Sequence, residues 1–147
     1  MTKPSLADKR KTFRALHERG CFVIPNPWDA GSARYLQGLG FKALATTSSG
    51  FAFSQAYPDG GVPLDRVLAH FQELTDASDL PINADFESGY ADDAAGVIRN
   101  VRRCIDTGVA GLSIEDATGN KDDPLFPLDE AVARIAAARK AIDDSKQ

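Results

Sequence analysis

Asp85 and Glu87 stand one residue apart at the end of the run Pro81-Ile82-Asn83-Ala84-Asp85-Phe86-Glu87. In an extended strand side chains alternate, so the two carboxylates share one face while Ile82, Ala84 and Phe86 share the other. Carboxylates held this close repel unless a cation neutralises them, and a hard divalent ion is the natural choice. A second run, Ser113-Ile114-Glu115-Asp116, ends in the same way. If the two strand ends converge, Asp85, Glu87 and Glu115 make an oxygen-rich set suited to Mg²⁺. Such an ion polarises a substrate oxygen as a Lewis acid and stabilises an enolate-type oxyanion.

Other groups fall at comparable places. Ser48, Ser49 and Gly50 read as a hydroxyl-rich turn opening the loop after the strand that ends at Thr47, where hydroxyls and backbone N–H groups can meet a substrate carboxylate. Trp28 and Asp29, in Asn26-Pro27-Trp28-Asp29, belong to the same set of substrate-binding candidates: Asp29 is a good helix N-cap, and Trp28 beside it can line a pocket mouth. Asp59 lies in Pro58-Asp59-Gly60-Gly61, a turn signature within a connection from Phe51 to Pro63 that is long for a simple link. His17 and His70 fall on helical stretches and read as surface residues. No phosphate loop, dinucleotide fingerprint, Ser-His-Asp set or zinc spacing is present.

The elements that must position these groups follow from periodicity. Helices are expected over Ser5–Arg19, Ala30–Leu39, Leu64–Ala77, Ala91–Thr107 and from Leu128 to about Asp144. In the last, Leu128, Val132, Ile135 and Ile142 form an apolar stripe. Strands are expected over Cys21–Pro25, Phe41–Thr47, Pro81–Glu87 and Ala110–Glu115, with Asp116–Phe126 a polar loop. Four strands each followed by a helix, with one helix in front, imply a parallel sheet covered by helices. Two architectures fit: an open doubly wound sheet, favoured by length, and half of a (β/α)₈ barrel, favoured by the chemistry at the strand ends.

The chain has 147 residues, a formal charge of -4 and an ordinary apolar content, which suits a single domain spanning residues 1–147. The acidic balance argues against a nucleic-acid partner. No apolar run approaches membrane-spanning length, and the Met1–Ser5 segment lacks the apolar core of a secretion signal. Cys21 and Cys104 fit no redox or metal pattern and read as buried thiols of a cytoplasmic protein.

The order of motifs resembles the isocitrate lyase and phosphoenolpyruvate mutase superfamily. The matching pieces are Asn26 to Ala33, Thr46 to Gly50, Asp85 to Tyr90 and Gly108 to Asp116. The resemblance implies a (β/α)₈ TIM-barrel type α/β fold of which only the first four βα units and an N-terminal helix are present. It implies Mg²⁺ or Mn²⁺, a small 2-oxo or 2-hydroxy carboxylate substrate, lyase or phosphomutase chemistry, and a homo-oligomer in the complete protein. Carried over by motif, Asp85, Glu87 and Glu115 form the metal shell, Ser49 and Gly50 hold the carboxylate, and Asp59 sits on a mobile loop. Isocitrate-type lyases carry a Lys-Lys-Cys-Gly-His loop after the fourth strand, whereas this chain reads Ala117 to Asp123 without Cys or His. The mutases carry a Lys and an Asn there, which Asn120 and Lys121 match loosely, so these two join Asp59 as catalytic candidates. The alternative is a non-catalytic remnant of the fold that binds a small acid or serves in assembly.

Overall fold

The strand Ile82-Asn83-Ala84-Asp85 alternates as its sequence dictates. Ile82 and Ala84 are fully buried, and Asn83 and Asp85 lie half-buried on the opposite face. A computed structural model of the chain describes residues 3–147, so the expectation for Met1 and Thr2 lies outside it. Helix α1 (Leu6–Leu16) and helix α2 (Ala30–Gly38) precede strand β1 (Leu44–Ala45) and helix α3 (Ser48–Ser54). Then come α4 (Leu64–Ala77), β2 (Ile82–Asp85), α5 (Ala94–Asp106) and β3 (Gly111–Ser113). The hairpin β4 (Ala117–Asn120) and β5 (Asp123–Leu125) leads into α6 (Leu128–Ser145).

The central sheet is parallel in the order β1-β2-β3, with Leu44 opposite Ile82 and Asp85 opposite Ser113. Each parallel step crosses over through a helix, as such pairs require. Leu44, Ile82, Ala84 and Phe86 point to the helical layer and are 0–1 % exposed. Val97, Val101 and Cys104 of α5 and Phe71 of α4 pack on the same layer. The inner face is closed from below by α1. A Cβ at Gly111 would lie 2.6 Å from Phe13 Cε1, so only glycine lets that ring sit under the sheet. Lys9, buried on the same helix, donates to the carbonyls of Thr75 (2.9 Å) and Ser78 (2.5 Å) at the end of α4.

Several expectations need correction. Cys21–Pro25 does not form a strand: it runs without a ladder beside β1, touching it through Ala45 N–H to the Pro25 carbonyl at 3.1 Å. Pro25 and Pro27 have no N–H to donate, so a regular ladder cannot extend here. The Asn26 amide substitutes, donating to the carbonyls of Ala45 and Thr46. Asp116–Phe126, expected as a loop, contains the β4–β5 hairpin; the Thr118 hydroxyl donates across it to the Asp123 carbonyl, and Phe126 N–H closes it onto Asp116. Cys21 is exposed, whereas Cys104 is buried and its thiol is pushed up to about 12 by that burial. His17 is exposed as expected, but His70 is buried at 4 % exposure.

The apolar stripe of α6 also faces differently. Leu128, Val132 and Ile135 are 81 %, 57 % and 57 % exposed, while Arg134, Ala137, Ala138 and Ala141 face the interior. Alanines let α6 lie close against α5; of the expected stripe only Ile142 packs partly buried on the core, and Leu128, Val132 and Ile135 are left on the outside. Val132→Gln is therefore expected to shift the urea-unfolding free energy by no more than about 0.5 kcal/mol. Val101→Ala, in the packed layer, is expected to lower it by about 1–3 kcal/mol. Comparable losses in both variants would contradict this assignment of faces.

Candidate metal and carboxylate site

The ends of β2 and β3 are tied together beyond their last paired residues. Phe86 N–H reaches the Ser113 carbonyl at 3.3 Å and Glu115 N–H reaches the Glu87 carbonyl at 2.8 Å. Glu87 and Glu115 are thus brought side by side, as expected from the two runs. The strand has already ended at Asp85, because Glu87, Gly89 and Tyr90 take φ of 43°, 90° and 52°. A left-handed backbone at non-glycine residues costs about 1–2 kcal/mol each, so other contacts must hold this loop.

Those contacts come from two later helices. Asn100 of α5 donates its amide to the carbonyls of Gly89 (3.1 Å) and Tyr90 (2.7 Å). Arg134 of α6 is 3 % exposed and donates to the carbonyls of Ser88 (3.1 Å), Ala91 (2.7 Å) and Asp92 (3.1 Å). Its guanidinium is paired with Glu130 at 2.8 Å and lies over the Phe126 ring at 3.9 Å. Neither residue was singled out in the sequence. An Arg within an alanine-rich helical face was the available signal for Arg134.

The electrostatics of the loop are those of crowded negative charge. Burial pushes the Glu87 carboxyl above the ordinary value, and the charges of Asp85 and Asp59 push it further, against a hydrogen bond from Tyr90. That bond runs from the Tyr90 hydroxyl to Glu87 Oε1 at 2.8 Å. Glu115 is raised by burial and then by Asp85, Glu87, Asp59 and Asp116. Tyr90 is driven up by burial and by the neighbouring Glu87. No basic side chain is among the groups acting on Glu87 or Glu115. The loop carrying Asp59 folds over this cluster, since a Cβ at Gly60 would lie 3.9 Å from Glu87 Oε2.

Asp85 is held differently. Its Oδ2 accepts the Ser48 N–H at 2.8 Å and its own N–H donates to Thr46 Oγ1 at 2.8 Å, while Oδ1 is buried without a partner within the protein. An unpaired carboxylate oxygen beside two carboxylates with raised affinity for protons fits a divalent cation. Among the described residues no three His, Cys, Asp or Glu side chains converge tightly enough to form a direct cage. The arrangement therefore suits an ion such as Mg²⁺, which keeps several waters and meets most carboxylates through them.

Ser48, Ser49 and Gly50 are not a loop. They form the first turn of α3, whose N-cap is Thr47: the Thr47 hydroxyl accepts the Gly50 N–H at 3.1 Å. A Cβ at Gly50 would stand 2.7 Å from Thr47 Cγ2, so glycine is needed for the cap itself. With Ser48 N–H given to Asp85, the turn is coupled directly to the carboxylate cluster. Asp29 caps α2 in a reciprocal box with Ser32, whose backbone N–H, and then its side chain, pull the Asp29 carboxyl below the ordinary value, and Trp28 is 51 % exposed beside it. Asn120 and Lys121 lie exposed at the turn of the hairpin, where Asn120 Oδ1 accepts the Asp122 N–H. The structure thus gathers Asp85, Glu87, Glu115, Asp59 and the Ser48–Gly50 turn, and leaves Asn120 and Lys121 outside that cluster.

The phosphoenolpyruvate phosphomutase family matches residues 13–147. Among curated relatives, the 2-methylisocitrate lyase of Escherichia coli (strain K12) is 34% identical over 95% of this chain and 50% of its own length. An oxaloacetate decarboxylase of Marinomonas sp. (strain MWYL1) is 34% identical over 96% of this chain and 52% of its own. Among solved structures, a Burkholderia cenocepacia J2315 protein provisionally described as a lyase/mutase superimposes with a TM-score of 0.89. It is 49% identical over 92% of this chain and 50% of that one. An oxaloacetate acetylhydrolase in complex with its product oxalate gives 0.85 at 30% identity, covering 94% of this chain and 50% of that one. The chain belongs to the phosphoenolpyruvate mutase and isocitrate lyase superfamily, and its α/β fold is the first part of that superfamily's barrel. It spans about half the length of the relatives it matches.

Glu87→Gln keeps the acceptor for Tyr90 and removes one charge from the cluster. Because the folded state raises the Glu87 pKa, its charge opposes folding once pH rises through that raised value. The metal-free variant is expected to be more stable than the parent at pH 7, by about 1 kcal/mol or less after solvent screening. The gain should vanish below the ordinary glutamate range, where both side chains are neutral. Thermal melts of the two proteins across pH check both the sign and the window.

Proposed function

We propose that this chain carries the metal-binding and carboxylate-binding part of a lyase or phosphomutase acting on a small 2-oxo or 2-hydroxy acid. The observation that supports it most is the cluster of Asp59, Asp85, Glu87 and Glu115, whose charges act on one another with no basic side chain among them. Asp85, Glu87 and Glu115 would hold Mg²⁺ or Mn²⁺, directly or through its waters. When bound, such an ion supplies Lewis-acid stabilisation for an enolate-like oxyanion.

The chain's own residues do the remainder. The Ser48–Gly50 turn, fixed by the Ser48-to-Asp85 bond, presents hydroxyls and the Ser49 N–H to a substrate carboxylate. Trp28 and Asp29, at the start of α2, would border the bound substrate. The Asp59 loop, which approaches Glu87 at Gly60, would bring a carboxylate to the reacting face. On the hairpin, Lys121 would carry a proton and Asn120 would orient the substrate by hydrogen bonding once that hairpin swings inward. The related acetylhydrolase's complex with oxalate supports a small dicarboxylate as ligand. A cytoplasmic, homo-oligomeric enzyme completes this reading.

The position of Asn120 and Lys121, exposed and outside the acidic cluster, favours a second reading, a remnant of the fold that binds a small acid without turning over substrate. Calorimetry separates the two. The catalytic reading expects Mn²⁺ binding and oxalate binding that depends on it. Asp85→Asn is expected to weaken Mn²⁺ by at least about 100-fold, since even indirect partners of a metal ligand are worth about 10–100-fold. Oxalate bound equally well with and without metal, or Mn²⁺ affinity unchanged in Asp85→Asn, would overturn it.

A further inference from the structure

Just two buried side-chain atoms among the described residues lack a hydrogen-bond partner, and they belong to residues on the same small cavity. One is Asp85 Oδ1 and the other is His70 Nε2. Thr47, Ser48, Glu87 and Tyr90 also line this cavity. His70 comes from α4, packs face to face on Phe51 of α3 with ring centroids 3.8 Å apart, and is 4 % exposed. Stacking fixes the plane of the imidazole, and the surrounding helices fix its position. A buried nitrogen left unpaired costs about 1–3 kcal/mol, a large penalty for a position that an apolar ring could fill.

The size of the cavity decides what pairs with it. Its water-accessible space is about 10 Å³, room for one water and far too little for a substrate carboxylate. One water here has the polar partners it needs: a ring nitrogen on one side, a carboxylate oxygen on the other, and hydroxyls of the capping turn. We propose that His70 is a positioning residue for Asp85. It donates from Nε2–H to one buried water, which donates in turn to Asp85 Oδ1. This bond and the Ser48 N–H on Oδ2 then hold the carboxylate plane from both sides. One lone pair of Oδ1 stays available to the cation. Burial, opposed weakly by Asp29, pulls the His70 pKa down to about 4, in keeping with a neutral ring that donates from one nitrogen.

The proposal rests on the metal reading of Asp85 for its functional consequence, but its geometry can be tested alone. Long-range ¹H–¹⁵N NMR of the histidines in the metal-free protein is expected to show His70 as a single neutral Nε2–H tautomer at pH 6–8, with a contact from Hε2 to a long-lived water. An Nδ1–H tautomer, or a ring proton exchanging freely with bulk water, would overturn it. The second arm measures Mn²⁺ affinity by electron paramagnetic resonance in His70→Phe, which keeps the stack, and His70→Gln, which keeps a donor. His70→Phe is expected to lose about 10-fold and His70→Gln less. Equal affinity in a folded His70→Phe and the parent would sink the positioning role. Absence of Mn²⁺ binding in the parent would refute the metal reading and with it the positioning role, leaving the tautomer result to decide the geometry.

Discussion

Much of the molecule depends on one hydrogen bond that joins two strand ends after their ladder has finished, from Glu115 N–H to the Glu87 carbonyl. It forces two acidic side chains together where the chain gains nothing from their proximity, and partial burial limits how far solvent screens the charge of Glu87. The surrounding structure reads as compensation. The Ser48 N–H takes one oxygen of Asp85, the Tyr90 hydroxyl takes one oxygen of Glu87, and two helices grip the backbone between them. Neither donor to the two carboxylates is a cation. The charge remains, which is why the site is read as chemistry and not as packing.

The strand ends were legible because alternation and parallel βα topology are strong local and global constraints. Asp85 and the fully buried Ile82, Ala84 and Phe86 lie where a two-residue period puts them. Glu87 reaches the same cluster by another route. Its left-handed backbone breaks the period, and no propensity argument anticipates that. The short helix α3 was hidden by Ser48-Ser49-Gly50, which reads as a turn until Thr47 is seen to cap it. His70 and the α6 stripe were misread for a shared reason: helical periodicity shows that two faces exist, while tertiary contacts decide which one is covered. On α6 the alanine face won because close approach to α5 requires small side chains. On α4 an imidazole entered the interior because Phe51 offered a flat ring to stack on.

The sheet's inner face shows how tightly the fold and the site are linked. Phe13 closes its bottom because residue 111 has no side chain, and Asp85 and Glu115 crown the other end. The Asp59 loop and the β4–β5 hairpin at the top are largely exposed. Close packing below and exposed segments above is the division of labour expected of barrel-type enzymes, where the reactive end is built from the loops after the strands.

The grip of Arg134 on the Ser88–Asp92 backbone carries a consequence for the order of folding. The guanidinium lies more than forty residues downstream of the carbonyls it binds, as the 46-residue separation from Ser88 shows. Such a contact forms only after the intervening segment has closed, at an entropic cost that local turns do not bear. The Glu87 loop, with its unfavourable backbone angles, therefore reaches its final shape only when α6 docks. During synthesis the strand and its acidic pair emerge early, but the loop from Ser88 to Asp92 takes its shape late, once α6 has been made.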